Sequence, residues 1–378
     1  MKLLRQTRIE VVIRKKLICL LSIYSRNNLT EIQTVVGEIS GADLGITLPH
    51  EHILLNLACY LKKSNNRNRR YILDKPISLE ILGDVRKDSE ASRDNLILNE
   101  KDSLSELNFF KDQGGKTIID VTPVGIGRDP ISLQRISKKV GINIVCGTGW
   151  YIGKAHPKSI KRYDIEDLAD LMEREITQGI ENSHIKAGVI GEIGCSDPLT
   201  RDEKKILRAS ARAQLRTNVP IVLHPALYNL KSKLIPKKAS EYLSILDKEG
   251  VNFNKVYLSH MNWTCEDLEY HRSVIEKYDV RICYDGFRSE TWNDSLFPGF
   301  GPYCDKFETR AISQLVKEGY QDNLLISSDI CMKIHLRKYG GYGYAHILEN
   351  VIPLLKYFGL TNKQIRHLIV DNPRRIFS

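Results

Sequence analysis

No two cysteines in this sequence stand at C-x-x-C spacing, which argues against a zinc knuckle or ribbon. No apolar stretch reaches the roughly 18 residues that a membrane-spanning helix needs. The apolar run Leu17 to Tyr24, behind basic residues ending at Lys16, is too short to cross a bilayer. Glu10 and the lack of a small-residue cleavage site argue against reading it as a signal or transit sequence. A basic working face is also missing, although the net charge is +10. Residues 1–33 hold seven Lys or Arg against Glu10 and Glu31, and residues 61–75 hold six against Asp74. Each stretch is therefore +5, and the remaining chain sums to zero. Nucleic-acid enzymes spread positive charge over a surface, so neither a nucleic acid nor a membrane is an expected partner. The eight cysteines, several inside apolar runs, suit a reducing compartment, the cytosol.

What the chain does have is a repeating rhythm. Its 378 residues, 42% hydrophobic and 27% charged, fit a soluble globular protein with one large decorated domain or two ordinary ones. Residues 1–33 read as a poorly ordered basic extension. Beyond them, eight short apolar runs are bounded by turn residues: Gly45–His52, Lys116–Thr122, Asn143–Gly147, Lys186–Gly194, Val219–His224, Lys255–His260, Val280–Asp285 and Asn323–Asp329. Their Val, Ile and Leu content is that of buried parallel strands. Helical periodicity separates them at Leu104–Lys111, Pro130–Lys139, Ile165–Gln178, Arg201–Arg216, Ala239–Lys248, Glu266–Lys277, Lys306–Glu318 and Tyr344–Phe358. Thr200 and Glu203 form a capping box. A last short helix, Asn362–Val370, is expected to end before Asn372-Pro373. Eight strand–helix repeats predict an α/β fold, the (β/α)8 or TIM barrel. The rival doubly wound sheet usually carries a Gly-rich loop after its first strand; here that strand ends in His50-Glu51-His52. Residues 54–103 read as an insertion at the surface.

Five of the eight strands end in a potential metal ligand: His50 and His52, Glu192, His224, His260 and Asp329. In a barrel those ends converge on one face, where active sites sit, and imidazole with carboxylate suits zinc or a similar ion. Taken singly, each has a plainer reading. His-x-His arises by chance, His224 and His260 read as core histidines, and Asp329 reads as the N-cap of a following turn. Glu192 is harder to dismiss, since a carboxylate between Ile190 and Ile193 needs a partner in a dry interior. Six coincidences at one end of the strands point to a shared cause: two divalent ions, zinc being the expected metal. Glu192 is the expected bridge between them. Lys186, a rival bridge if carboxylated, begins its strand and lies roughly 20 Å from Glu192 at about 3.3 Å per residue. Asp329 is expected to orient a metal-activated hydroxide and to carry a proton to the leaving group; with Glu192 it forms the expected catalytic pair. No Ser-centred elbow or Cys–His pattern offers another nucleophile. Of the other histidines, His156, His184, His271, His346 and His367 read as structural or solvated. His335, Arg288, Lys333 and Arg337 follow strands seven and eight and are candidates to contact substrate.

Thr47-Leu48-Pro49-His50-Glu51-His52, the run from Lys186 to Ser196, and Ser327-Ser328-Asp329 followed by Lys338 to Tyr344 together resemble the phosphotriesterase family, and within it the animal phosphotriesterase-related branch. The resemblance spans residue 34 to the end. It implies a metal-dependent barrel of the amidohydrolase type, with ligands at His50, His52, Glu192, His224, His260 and Asp329. Glu stands where organophosphate-degrading members use a carboxylated Lys, so strong organophosphate activity is not expected. The branch implies hydrolysis of amide bonds in N-acetyltaurine and related N-acyl amino acids. Ester, lactone or phosphotriester hydrolysis by the same metals is the alternative, and a non-catalytic barrel is a third reading. A homodimer is the candidate assembly.

Overall fold

The computed structural model describes residues 31–227, 235–288 and 304–378. It opens with a hairpin of β1 (Glu31–Thr34) and β2 (Gly37–Ser40). Regular structure is therefore already present at Glu31, inside the stretch assigned to the basic extension. Residues 1–30 lie outside the described residues.

Eight parallel strands follow: β3 (Thr47–Glu51), β6 (Thr117–Asp120), β7 (Asn143–Thr148), β8 (Val189–Gly194), β9 (Ile221–His224), β10 (Val256–Leu258), β11 (Arg281–Tyr284) and β12 (Leu324–Ile326). They pair strictly in chain order from β3 to β12, as right-handed βα units wound one way require. The ring is completed between β12 and β3. There the Ser327 hydroxyl accepts from the His50 N–H at 3.0 Å, and the Asp329 N–H donates to the His50 carbonyl at 3.2 Å. The result is a nearly closed TIM barrel.

Two hydrophobic layers hold it. Inside, Ile119, Val121, Val145, Val189, Val222 and Tyr257 pack with Cys283 and Leu325, floored by Ile32, Leu44, Ile376 and Phe377. Outside, the opposite faces of the strands pack on the helices in a larger cluster that includes Leu48, Ile118, Ile190, Leu223 and Leu258. Strands buried on both faces need no polar alternation, which is why the sequence runs were uniformly apolar. The capping box at Thr200 is present: its hydroxyl accepts from the Glu203 N–H at 3.1 Å, and the Glu203 carboxylate accepts from the Thr200 N–H at 2.7 Å.

Three elements differ from expectation. The helix after the insertion begins at Glu100, capped by Asn99, rather than at Leu104. The stretch expected as one helix, Tyr344–Phe358, contains a π-helical turn, Ile347–Val351, before the helix Ile352–Tyr357. Pro353 has no N–H to offer the preceding turn, and widening that turn relieves the mismatch. The final helix does not stop at Asn372-Pro373. After a π turn at His367–Asp371 the helix Asn372–Phe377 follows directly, with Pro373 placed after its π turn as Pro353 is after the earlier one.

The segment between β3 and Glu100 folds over the C-terminal face of the barrel. It contains β4 (Leu55–Asn56) paired with β5 (Ile97–Leu98), and the helix Leu79–Lys87. It has a small core of its own, in which Ile72, Ile81, Val85 and Ala91 meet Ile334 from the loop after β12. No helix among the described residues is long and apolar enough to cross a membrane.

Candidate metal centre

His50, in β3, and His52, one residue past its end, are two residues apart, so their side chains share a face while Glu51 turns to the other. Glu51 accepts from the Ser327 hydroxyl and the Ser328 N–H at 2.7 Å each and from the Ile330 N–H at 2.8 Å. It thereby fastens β3 to the loop that carries Asp329. Burial pushes its carboxyl up to about 7, although those three donors pull the other way.

The six residues singled out in the sequence meet at one point. Glu192 Oε2 is 3.3 Å from His50 Nε2 and 3.6 Å from His260 Nε2, and Glu192 Oε1 is 3.3 Å from His52 Nε2. Asp329 Oδ1 is 3.4 Å from His52 Nε2 and 3.9 Å from His50 Nε2. The His224 ring stands edge-on to that of His260, with centroids 4.5 Å apart. All six are buried. His260 and Asp329 lie just beyond the ends of β10 and β12, in left-handed backbone with φ of 58° and 52°. That conformation costs a non-glycine residue about 1–3 kcal/mol, and it persists where the surroundings over-determine it.

Donor chemistry suits metal ions. His50 Nδ1 and Nε2, His224 Nδ1, Glu192 Oε2 and Asp329 Oδ1 are buried without a hydrogen-bond partner, an arrangement that is costly unless something else satisfies them. Three groups of side chains bring one ligand atom each within 4.8 Å of one another: His50, His52 and Glu192; Glu192, His224 and His260; and His50, His260 and Asp285. The first two groups have Glu192 in common and nothing else. Burial favours the neutral form of Glu192, yet the imidazoles of His224, His260 and His50 hold its carboxyl well below the ordinary range. Burial lowers His224 to about 4, so at neutral pH its ring keeps a lone pair to give. Lys186 is half-buried, lies three residues before β8 begins and takes no part in the cluster.

Around this cluster stand residues that hold its members in place. Asp285, at the end of β11, lies 3.0 Å from His260 Nδ1 and accepts the His260 backbone N–H with both oxygens at 3.0 Å. Thr122 Oγ1 is 2.9 Å from His52 Nδ1, and the Tyr151 hydroxyl is 2.9 Å from His224 Nε2. Sequence reading missed all three. Asp285 was in view as the last residue of a strand, and the same end-of-strand rule that chose Glu192 would have chosen it.

Over the cluster lies a cavity of about 490 Å³. Glu192, His52, His224, His260 and Asp329 form its floor, and Leu57, Tyr60, Leu61, Ile152, Trp263 and Met332 supply much of its wall. Of the four substrate-contact candidates the structure brings only Arg288 to this cavity, where its guanidinium pairs with Asp329 Oδ2. The other three face elsewhere. Lys333 turns into the segment over the barrel and pairs with Asp94. The His335 ring is buried, with Nδ1 accepting the Cys331 N–H at 3.3 Å. Arg337 pairs with Glu349 at 3.0 Å over the ring of Phe109.

Comparison with known proteins agrees with this architecture. The chain is 35% identical over 369 residues to an N-acetyltaurine hydrolase of Dictyostelium discoideum, covering 92% of this chain and 98% of that one. Among solved structures, a resiniferatoxin-binding protein from Rhodobacter sphaeroides superposes with a TM-score of 0.86 at 34% identity, covering 92% of this chain and 95% of the other. A lactonase from Listeria monocytogenes superposes with a TM-score of 0.73 at 26% identity, covering 92% and 99%. The model of the phosphotriesterase family, whose members depend on metal, matches residues 30–377. The chain belongs to the phosphotriesterase family and is a hydrolase.

Proposed function

We propose that this protein is a binuclear metal-dependent hydrolase that cleaves the amide bond of small N-acyl substrates such as N-acetyltaurine. The observation that carries the reading is Glu192, which belongs both to the group with His50 and His52 and to the group with His224 and His260. A single carboxylate reaching both groups is what a pair of bridged ions requires. His50 and His52 would hold one ion and His224 and His260 the other, with Asp329 completing the set and zinc the proposed metal. Bound ions of this kind polarise a carbonyl and lower the pKa of water.

The chain's own contribution is positional and acid–base. Asp285 fixes the ring of His260, and Tyr151 fixes that of His224. Asp329 has one oxygen held by Arg288, while Oδ1 is unpartnered and faces His52. Oδ1 takes the proton released as water adds to the acyl carbon and returns it to the amine nitrogen as the C–N bond breaks. The names of the N-acetyltaurine hydrolase relatives support the amide reading. The likeness to a lactonase supports the second reading, ester or lactone hydrolysis on the same residues. Seven free cysteines among the described residues support a reducing, cytosolic setting.

Assay of the purified, zinc-supplemented protein against N-acetyltaurine and against a panel of lactones decides between the two. Release of taurine at a rate above that of any lactone is expected. Turnover of lactones alone overturns the amide assignment.

A further inference from the structure

Among the described residues the cavity wall carries three Lys or Arg side chains, Lys62, Lys154 and Arg288. Arg288 is neutralised by Asp329, and Lys62 by Glu90 at 2.6 Å. Lys154 makes no ion pair with any described carboxylate within 4.0 Å. Its ammonium instead sits 3.5 Å above the centre of the Tyr60 ring. A phenol face attracts a cation without cancelling its charge. The ammonium is thus held in position and still able to receive an anion.

The same tyrosine links this lysine to the cluster below. The Tyr60 hydroxyl is 3.1 Å from that of Tyr151, which is 2.9 Å from His224 Nε2. One phenol ring and two hydrogen bonds therefore separate Lys154 from the floor of the cavity, a reach on the order of 10 Å. A short N-acyl amino acid spans such a gap when its carbonyl lies over the floor and its acid group sits two or three carbons beyond the nitrogen.

We propose that Lys154, seated on Tyr60, is the residue that receives the anionic end of the substrate, a sulfonate or carboxylate, and so makes this site selective for acidic N-acyl amines over neutral ones. The inference rests on the amide-hydrolase reading. It assigns the segment between β3 and Glu100, which supplies Tyr60, a part in specificity as well as in covering the barrel.

The test compares the wild type with Lys154→Ala and Lys154→Arg on three amides of similar length: N-acetyltaurine, N-acetyl-β-alanine and neutral N-propylacetamide. Binding of propane-1-sulfonate is measured beside them by calorimetry. Lys154→Ala is expected to raise KM for both acidic amides at least tenfold with kcat within about twofold, to leave the neutral amide unchanged, and to weaken propane-1-sulfonate by a similar factor. Lys154→Arg should keep most of the wild-type selectivity. Equal effects on acidic and neutral amides, or no effect on either, overturn the assignment of Lys154 and leave the amidase reading intact. A wild type that turns over none of the amides overturns the amidase reading. In that case the calorimetry still judges Lys154, because propane-1-sulfonate affinity that is absent, or unchanged in Lys154→Ala, rejects it as an anion site.

Discussion

Asp285 Oδ1 lies 3.0 Å from His260 Nδ1, and the same carboxylate caps the His260 backbone N–H. One acid therefore fixes both the ring and the main chain of a residue held at positive φ. A ring oriented through Nδ1 presents Nε2 to Glu192 in a defined tautomer. Asp285→Asn should lower activity or metal affinity by about 10- to 100-fold while the fold is kept. Kinetics at saturating zinc, beside a metal titration of the same variant, check this; wild-type values in both would remove Asp285 from the account.

Glu51 is the acceptor for three donors in the loop after β12. Glu51→Ala leaves those donors buried and unpaired, and it should destabilise the protein by about 3–5 kcal/mol, judged by denaturant unfolding. Glu51→Gln retains one acceptor oxygen and should lose less.

Arg288 lines the cavity and donates to Asp329, to its carboxylate and also to its carbonyl at 3.2 Å. If its task is to hold Asp329, Arg288→Met lowers kcat by about 10- to 100-fold, the worth of a charge-assisted hydrogen bond, with little change in KM. A rise in KM alone would make it a substrate contact instead.

His271 is fully buried. Its Nδ1 is 2.7 Å from the Tyr284 hydroxyl and its Nε2 is 2.8 Å from Thr264 Oγ1. Burial lowers its pKa to about 4. The unfolded chain binds this proton near pH 6.5, so between about pH 6.5 and 4 the unfolded state holds more protons than the native one. Stability is complete above that window and falls as pH drops through it, by up to roughly 3 kcal/mol from this residue. His271→Gln should show a shallower loss of stability from pH 6.5 to 4 in urea titrations; a slope equal to that of the wild type contradicts the assignment.

The barrel was legible because its strands are buried on both faces, which leaves an uninterrupted apolar signature that turn residues punctuate. The convergence of His50, His52, Glu192, His224, His260 and Asp329 followed from the parallel topology alone, since every strand ends on the same face. Side-chain direction in loops was not legible. Lys333, His335 and Arg337 follow Asp329 closely in sequence, yet their partners Asp94, Cys331 and Glu349 draw them away from the cavity. Tyr60 and Lys154 could not be assigned either, because one lies in a segment without regular periodicity and the other in a loop after β7. Their meeting depends on how that segment folds back over the barrel.

The most direct measurement is the metal content of the protein after equilibration with zinc and removal of the excess. A pair of ions that share Glu192 predicts close to two ions per chain in the wild type and fewer than one in Glu192→Ala, with the circular dichroism spectrum unchanged. A wild type that retains no divalent ion, or a Glu192→Ala variant that retains both, contradicts it.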